Sequence, residues 1–261
     1  MRFFEVFANE QYRELLGQLT ARELAQRYKQ SVIGYFWVIL NPFIQMLVMS
    51  FVFVNIFGNK NLGVAYPLFL FTGLLPWNLF SQSLTSCAEA LVGSASLLSK
   101  IYFPREILVL SRMLARVVDF LFASIILIGM MIFYRHGVTV HVLWVVPIFV
   151  IQFLFTYGLS LFLAAANLFY RDVRHLLNLV VMTWMYLTPV MYDADIFPSK
   201  YRWIFQINPM AVFVNAYRQV ILGVDPPNFR SLAIGLVLSL VVCAWGYRFF
   251  KKLEGQFADS V

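Results

Sequence analysis

The chain has 261 residues, of which 61% are hydrophobic, 18% aromatic and only 13% charged, and its formal net charge is +7. A soluble domain is about 45–50% apolar and about 25% charged, so a soluble fold could not hide this much apolar surface. Disordered chains are poor in aromatic and branched residues, which leaves a polypeptide whose solvent is largely lipid. The positive charge would suit nucleic acid, but a membrane protein gathers Lys and Arg in its cytoplasmic loops, and no nucleic-acid partner is expected. Cys87 and Cys243 lie inside apolar runs, and His136, His141 and His175 are scattered, so neither a disulfide framework nor a metal cluster is expected.

Residues 1–32 alternate charged with apolar residues and carry no continuous apolar core, unlike a signal peptide. Tyr12, Leu15, Leu16 and Leu19 follow the i, i+3, i+4, i+7 spacing of an amphipathic helix. Thr20 and Glu23 form a capping-box pattern, which predicts that a second helix starts near Ala21. Leu24 and Tyr28 share its apolar face, beside Arg22, Arg27 and Lys29. Such a segment lies flat at the cytoplasmic interface or packs on a soluble partner.

A spanning helix needs about 20 mostly apolar residues, and six candidates follow, over 33–57, 66–92, 107–134, 142–168, 176–192 and 231–250. Arg2, Arg13, Arg22, Arg27, Lys29, Lys100, Arg105, Arg171, Arg174, Arg248, Lys251 and Lys252 fall on one side. The short loops opposite hold only Lys60 and Arg135. The positive-inside rule therefore places both termini in the cytoplasm. The chain is read as an all-α integral membrane protein, with residues 1–32 interfacial and 33–261 forming one transmembrane domain.

Polar residues inside spans face protein or water. Trp37, Asn41 and Gln45 share one face of the first span. Asn78, Gln82, Thr85 and Glu89 share one on the second, and Trp184, Thr188 and Tyr192 one on the fifth. These stripes either join helices by hydrogen bonds or line a path. In the third span, Arg112, Arg116 and Asp119 sit at i, i+4, i+7, and none should face lipid. Asp119 is expected to pair with Arg116, and Glu89 with Arg112, as structural charge pairs rather than substrate contacts. Between spans five and six, Met210–Leu222 covers only about 20 Å, short of the roughly 30 Å hydrocarbon core. Asn208-Pro209 breaks it from Lys200–Ile207, which suits a re-entrant hairpin dipping in from outside.

No GxxxxGK[ST] phosphate loop occurs, so ATP hydrolysis on this chain is not expected. HExxH and GxSxG are absent as well, and no catalytic residue is assigned. Asp193-Ala194-Asp195 is a weak match to the acidic pair of some glycosyltransferases, and is read as a solvated loop.

Four segments carry a family resemblance: RELAQRYKQSVIGYFWVILNP (22–42), SLLSKIYFPRE (96–106), NLFYRDVRH (167–175), and LTPVMYD (187–193) followed by INP (207–209). They resemble the membrane subunits of ABC-2 type polysaccharide exporters, the permeases for O-antigen, capsule and teichoic acid. The resemblance implies a bacterial inner-membrane protein with six spans that works as a homodimer. It also implies two copies of a separate ATPase, which bind the ATP and Mg, and a lipid-linked polysaccharide as cargo.

The resemblance further assigns residues. Ser96–Glu106 would be the coupling segment, with Leu97, Leu98, Tyr102 and Phe103 docking on the ATPase and Lys100, Arg105 and Glu106 fixing register. Arg171, Asp172 and Arg174 are weaker candidates for the same contact. Aromatic lining of the family's conduit favours a path, with Tyr35, Phe36 and Trp37 at the cytoplasmic mouth. Asn41 and Gln45 would follow, with Trp184, Tyr186, Thr188 and Tyr192 further along. Asn208 and Pro209 would close the outer mouth. An ABC-2 exporter of a drug or simple lipid, or an ATP-independent channel or membrane enzyme, remains an alternative at this stage.

Overall fold

A computed structural model describes residues 9–28, 33–57, 63–98, 103–194, 198–201, 203–223 and 226–257. Its main helices are α1 (Glu10–Tyr28), α2 (Trp37–Phe57), α3 (Tyr66–Ala88), α4 (Glu106–Phe133), α5 (Val145–Phe169), α6 (Val173–Leu187), α7 (Trp203–Ile207), α8 (Pro209–Leu222) and α9 (Phe229–Leu253). No strand is present among the described residues.

Four helical segments are long and apolar enough to cross a membrane: Gly34–Asn55, Glu106–Phe133, Val140–Phe169 and Phe229–Gln256. The other two expected spans depart from that pattern for different reasons. α3 has 23 residues, ample for a crossing at about 1.5 Å per residue, but most of its surface is buried against other helices. A helix that meets protein instead of lipid can carry Asn78, Gln82 and Thr85. α6 has only 15 residues, about 22 Å, and ends five residues before the expected 192. Thr188 leaves the helix at φ −102 and ψ 132, the extended conformation that a following proline, here Pro189, imposes.

α1 also differs from expectation. It is one continuous helix, started by Asn9, whose side chain accepts the Gln11 N–H at 3.0 Å. Thr20 does not cap a second helix. Its hydroxyl donates to the Leu16 carbonyl one turn back, at 2.7 Å, and the helix runs through. Leu16 is buried in the chain's own core, with Tyr12, Leu15 and Leu19 packed alongside.

The buried side chains fall into two clusters. One surrounds the start of α3 and the inner face of α8, with Phe71, Phe80, Phe213 and Tyr217 fully or almost fully enclosed. The other gathers the end of α3, the start of α4 and both ends of the chain, from Leu16 to Phe257. α5 and α9 touch backbone to backbone: a Cβ built on Gly246 would stand 2.0 Å from the Gly158 carbonyl oxygen. Close approach through small residues is how helices associate in lipid, where apolar side chains gain nothing by leaving the solvent. Outward, α2 exposes Val48 and Phe51, α4 exposes Ile128 and Ile132, and α9 exposes Val237 and Val241.

Candidate conduit and coupling surfaces

α2, α3 and α4 enclose a crevice of about 60 Å³, room for a few water molecules. Trp37 and Asn41 reach it from α2, Asn78 and Gln82 from α3, and Arg116 and Asp119 from α4. Two of the three polar stripes thus face one space. Gln45, one turn beyond Asn41, does not line it.

The charges around the crevice form a network that ties α1 to α4. Asp119 accepts from Arg27 Nη1 at 2.6 Å, from Arg116 Nη1 at 3.3 Å and from the Tyr35 hydroxyl at 3.2 Å. Glu23 lies 3.5 Å from Arg27 and 3.6 Å from Arg112. Arg116 also donates to Gln82 Oε1 at 3.0 Å, and Arg112 to the Ser86 carbonyl at 2.8 Å. The Arg116–Asp119 pair therefore forms as the helical spacing implied. The Glu89–Arg112 pair does not. Arg112 turns toward α1, while Glu89 stands past the end of α3 and meets the exposed Arg174 at 3.0 Å.

The aromatic candidates separate into two groups. Phe36 and Tyr186 are more than half exposed, and Tyr35 sets its ring edge-on to Phe122 at 5.2 Å. Trp184 instead points inward. Its ring meets Phe80 edge-on at 5.2 Å, and its indole N–H donates to Asn208 Oδ1 at 2.9 Å. Asn208 Nδ2 donates to the Leu187 carbonyl at 3.1 Å and to Thr188 Oγ1 at 3.0 Å. Asn208 Oδ1 also caps α8, accepting from Met210 N and Ala211 N, with Pro209 at the first helical position, where its missing N–H is harmless. Asn208 is thus a knot joining the end of α6 to the start of α8. Thr188 is fully buried there. Tyr192, off the helix, donates its hydroxyl to the Tyr186 carbonyl at 2.7 Å.

Arg218, on α8, is a functional side chain that the sequence patterns above do not single out. It is 8% exposed. Its guanidinium donates to the Pro189 and Val190 carbonyls, which lie past the end of α6. It also lies 3.6 Å from the centre of the Phe69 ring. A Cβ on Gly73 would come within 2.7 Å of its Nη2, so the glycine makes room for the cation. A lone arginine in an apolar stretch was the available signal.

In the segment expected to couple, 96–106, Lys100 and Tyr102 lie outside the described residues. Leu98 and Phe103 are not presented to a partner: they are 4% and 6% exposed, inside the second core cluster, and Leu97 packs against it. Glu106 is fully buried, its carboxylate 2.6 Å from Lys251 Nζ on α9. Lys251 also meets Glu254 at 2.9 Å. Arg105 donates its backbone N–H to Glu254 Oε1 at 3.3 Å and its guanidinium to the Glu254 carbonyl. Arg105 and Glu106 therefore fix the C-terminal helix rather than face outward. The turn at Arg171, Asp172 and Arg174 is the exposed one. Among the described residues, no group of His, Cys, Asp and Glu is arranged to hold a metal ion.

Long apolar helices with exposed flanks, a polar crevice between α2, α3 and α4, and a charge network tying α1 to α4 define a multi-pass membrane protein that is helical throughout its described elements. The ABC-2 type transporter family matches residues 14–222, and the chain belongs to that family. It is 32% identical over 247 residues to the O-antigen export system permease protein RfbA of Klebsiella pneumoniae, covering 94% of both chains. It is 30% identical over 253 residues to RfbA of Myxococcus xanthus, covering 96% of both. More distantly, it is 20% identical over 252 residues to the polysialic acid transport protein KpsM of Escherichia coli, covering 93% of this chain and 94% of KpsM.

Proposed function

We propose that the chain is the membrane subunit of an ATP-driven exporter that moves a lipid-linked, O-antigen-like polysaccharide across the bacterial inner membrane. The observation that carries this reading is the end-to-end similarity to relatives named as O-antigen export permeases. In it, two copies form the conduit and a separate pair of ATPases binds ATP and Mg. Six spans cross the bilayer, both termini are cytoplasmic, α7 and α8 form a re-entrant outer hairpin, and α1 lies at the cytoplasmic interface with its polar face to water.

The exposed rings of Phe36 and Tyr186 and the crevice side chains Trp37 and Asn41 suit direct contact with glycan. Tyr35, Trp184, Thr188, Tyr192 and Asn208 shape the wall through their hydrogen bonds, with Gln45 continuing the α2 face and Pro209 starting the hairpin. Coupling to the ATPase rests on the 96–106 segment, with Leu98 and Phe103 as its buried footing. The exposed Arg171–Arg174 turn is a second contact. Deleting the gene should strip glycan from the cell surface and leave it in the cytoplasm. Restoring the chain together with its ATPase should return it to the surface, and surface glycan that is unchanged by the deletion would end this reading.

A further inference from the structure

Beside α7, α8 and the start of α9 lie two overlapping cavities of about 240 and 340 Å³, whose lining does not include Arg218. Four carboxamides reach them from three separate elements: Gln206 from α7, Asn215 and Gln219 from α8, and Asn228 from the cap of α9. Two of these already serve the fold through their oxygens. Gln219 Oε1 accepts from Asn228 N at 3.2 Å, and Asn228 Oδ1 accepts from Ser231 N at 3.2 Å. Their NH₂ groups remain as donors. The amides of Gln206 and Asn215 make no hydrogen bond to the described residues and offer both a donor and an acceptor. The floor is apolar, with Phe205 buried beneath the cavity, and Arg230 stands at the rim.

We propose that this groove is a carbohydrate subsite that holds a sugar unit of the cargo as it leaves the conduit. The proposal rests on the export reading above, which puts this face outside. A neutral amide matches a sugar diol, because each presents a donor and an acceptor side by side. The apolar floor accepts the CH face of a pyranose ring. A phosphate-bearing ligand would call for converging cations, and here four neutral amides meet one arginine. The cavity is also of the size that encloses a small ligand. A sugar held here would oppose backsliding of the polymer between strokes of the ATPase.

Cells that export the glycan, carrying a photoreactive benzophenone amino acid at position 231 in the full-length chain, test the idea. Illumination should attach glycan to the chain, detected by a glycan-specific antibody after membrane extraction. The double variant Asn215→Leu and Gln219→Leu should lower that yield about tenfold, since it removes the paired donors and acceptors. The same probe at the exposed Ile128 should capture lipid alone. Capture of phospholipid only at position 231 would make the groove an outer-leaflet headgroup site and overturn the proposal. So would a glycan yield that the double variant leaves intact. If glycan export itself survives deletion of the gene, the export reading has failed; if export is lost on deletion yet position 231 captures no glycan, only the subsite has failed.

Discussion

The two ends of the helical bundle are held by different chemistry. Where α1, α4 and α9 converge, charge meets charge: Arg27 with Asp119, Arg112 with Glu23, and Lys251 with Glu106 and Glu254. Where α6 meets α8, the ties run to the backbone, through Asn208 to Leu187 and through Arg218 to Pro189 and Val190. The contrast bears on motion. A carbonyl clamp fixes one path of the main chain. A charge network can trade partners while every charge stays compensated, as Glu23 and Asp119 already do by sharing Arg27. The end held by charges is therefore the adjustable one, and the end clamped to carbonyls is the fixed one.

The contrast is broken most forcefully at Lys251. Lys251→Met leaves the Glu106 carboxylate fully buried without its cation, and losing one partner of a buried pair costs about 3–5 kcal/mol. Thermal unfolding of the purified protein should show this as a large drop in midpoint. Adding Glu106→Gln should recover most of it, because no bare charge then remains. A single variant as stable as the parent would show that the pair is solvated rather than buried.

Arg218→Met tests the other end and should cost less, roughly 2 kcal/mol, since it strands two carbonyl dipoles rather than an ion. Arg218→Lys should recover only part of this, because an ammonium cannot span both carbonyls as the planar guanidinium does. If lysine restores full stability, the bidentate geometry is not what matters. Asn208→Ala is smaller again, about 1 kcal/mol for a lost helix cap. It also frees the Trp184 indole, so the tryptophan emission should shift along with the unfolding midpoint. A stability loss with no spectral change would detach Trp184 from the knot.

How much of this could be read in the sequence follows the range of each interaction. The helices were legible from apolar run length, and Arg116–Asp119 from helical spacing alone. Arg27–Asp119 spans 92 positions, and no periodicity links α1 to α4. The end of α6 was missed because apolar residues continue past Thr188-Pro189, although the proline itself marked the stop. Thr20 and Glu23 fitted a capping box, yet Leu16 and Leu19 in the turn before Thr20 pack against the second core cluster, and packing overrode the local signal. Between residues 96 and 106 the docking assignment came from the family resemblance, and a resemblance cannot tell an inward face from an outward one. The closing of the C-terminal helix over Glu106 decides it.

The gentlest test concerns Glu89. Its partner, Arg174, is 61% exposed at the side chain, and Glu89 itself is 43% exposed. An ion pair this open to water contributes about 0–1 kcal/mol. Glu89→Gln should therefore leave the unfolding midpoint nearly unchanged, and added salt should make parent and variant indistinguishable. Arg112→Gln should behave differently although it lies on the same side of the bundle, because it removes a cation that Glu23 and the Ser86 carbonyl both engage. Protease cleavage at the exposed Arg13 or Arg22 of α1 reads that difference directly. Arg112→Gln should speed cleavage as α1 loosens from α4, and Glu89→Gln should not. Equal rates in the two variants would mean that α1 is held by Leu16 and its apolar neighbours alone, and the charged joint would lose its place in the comparison.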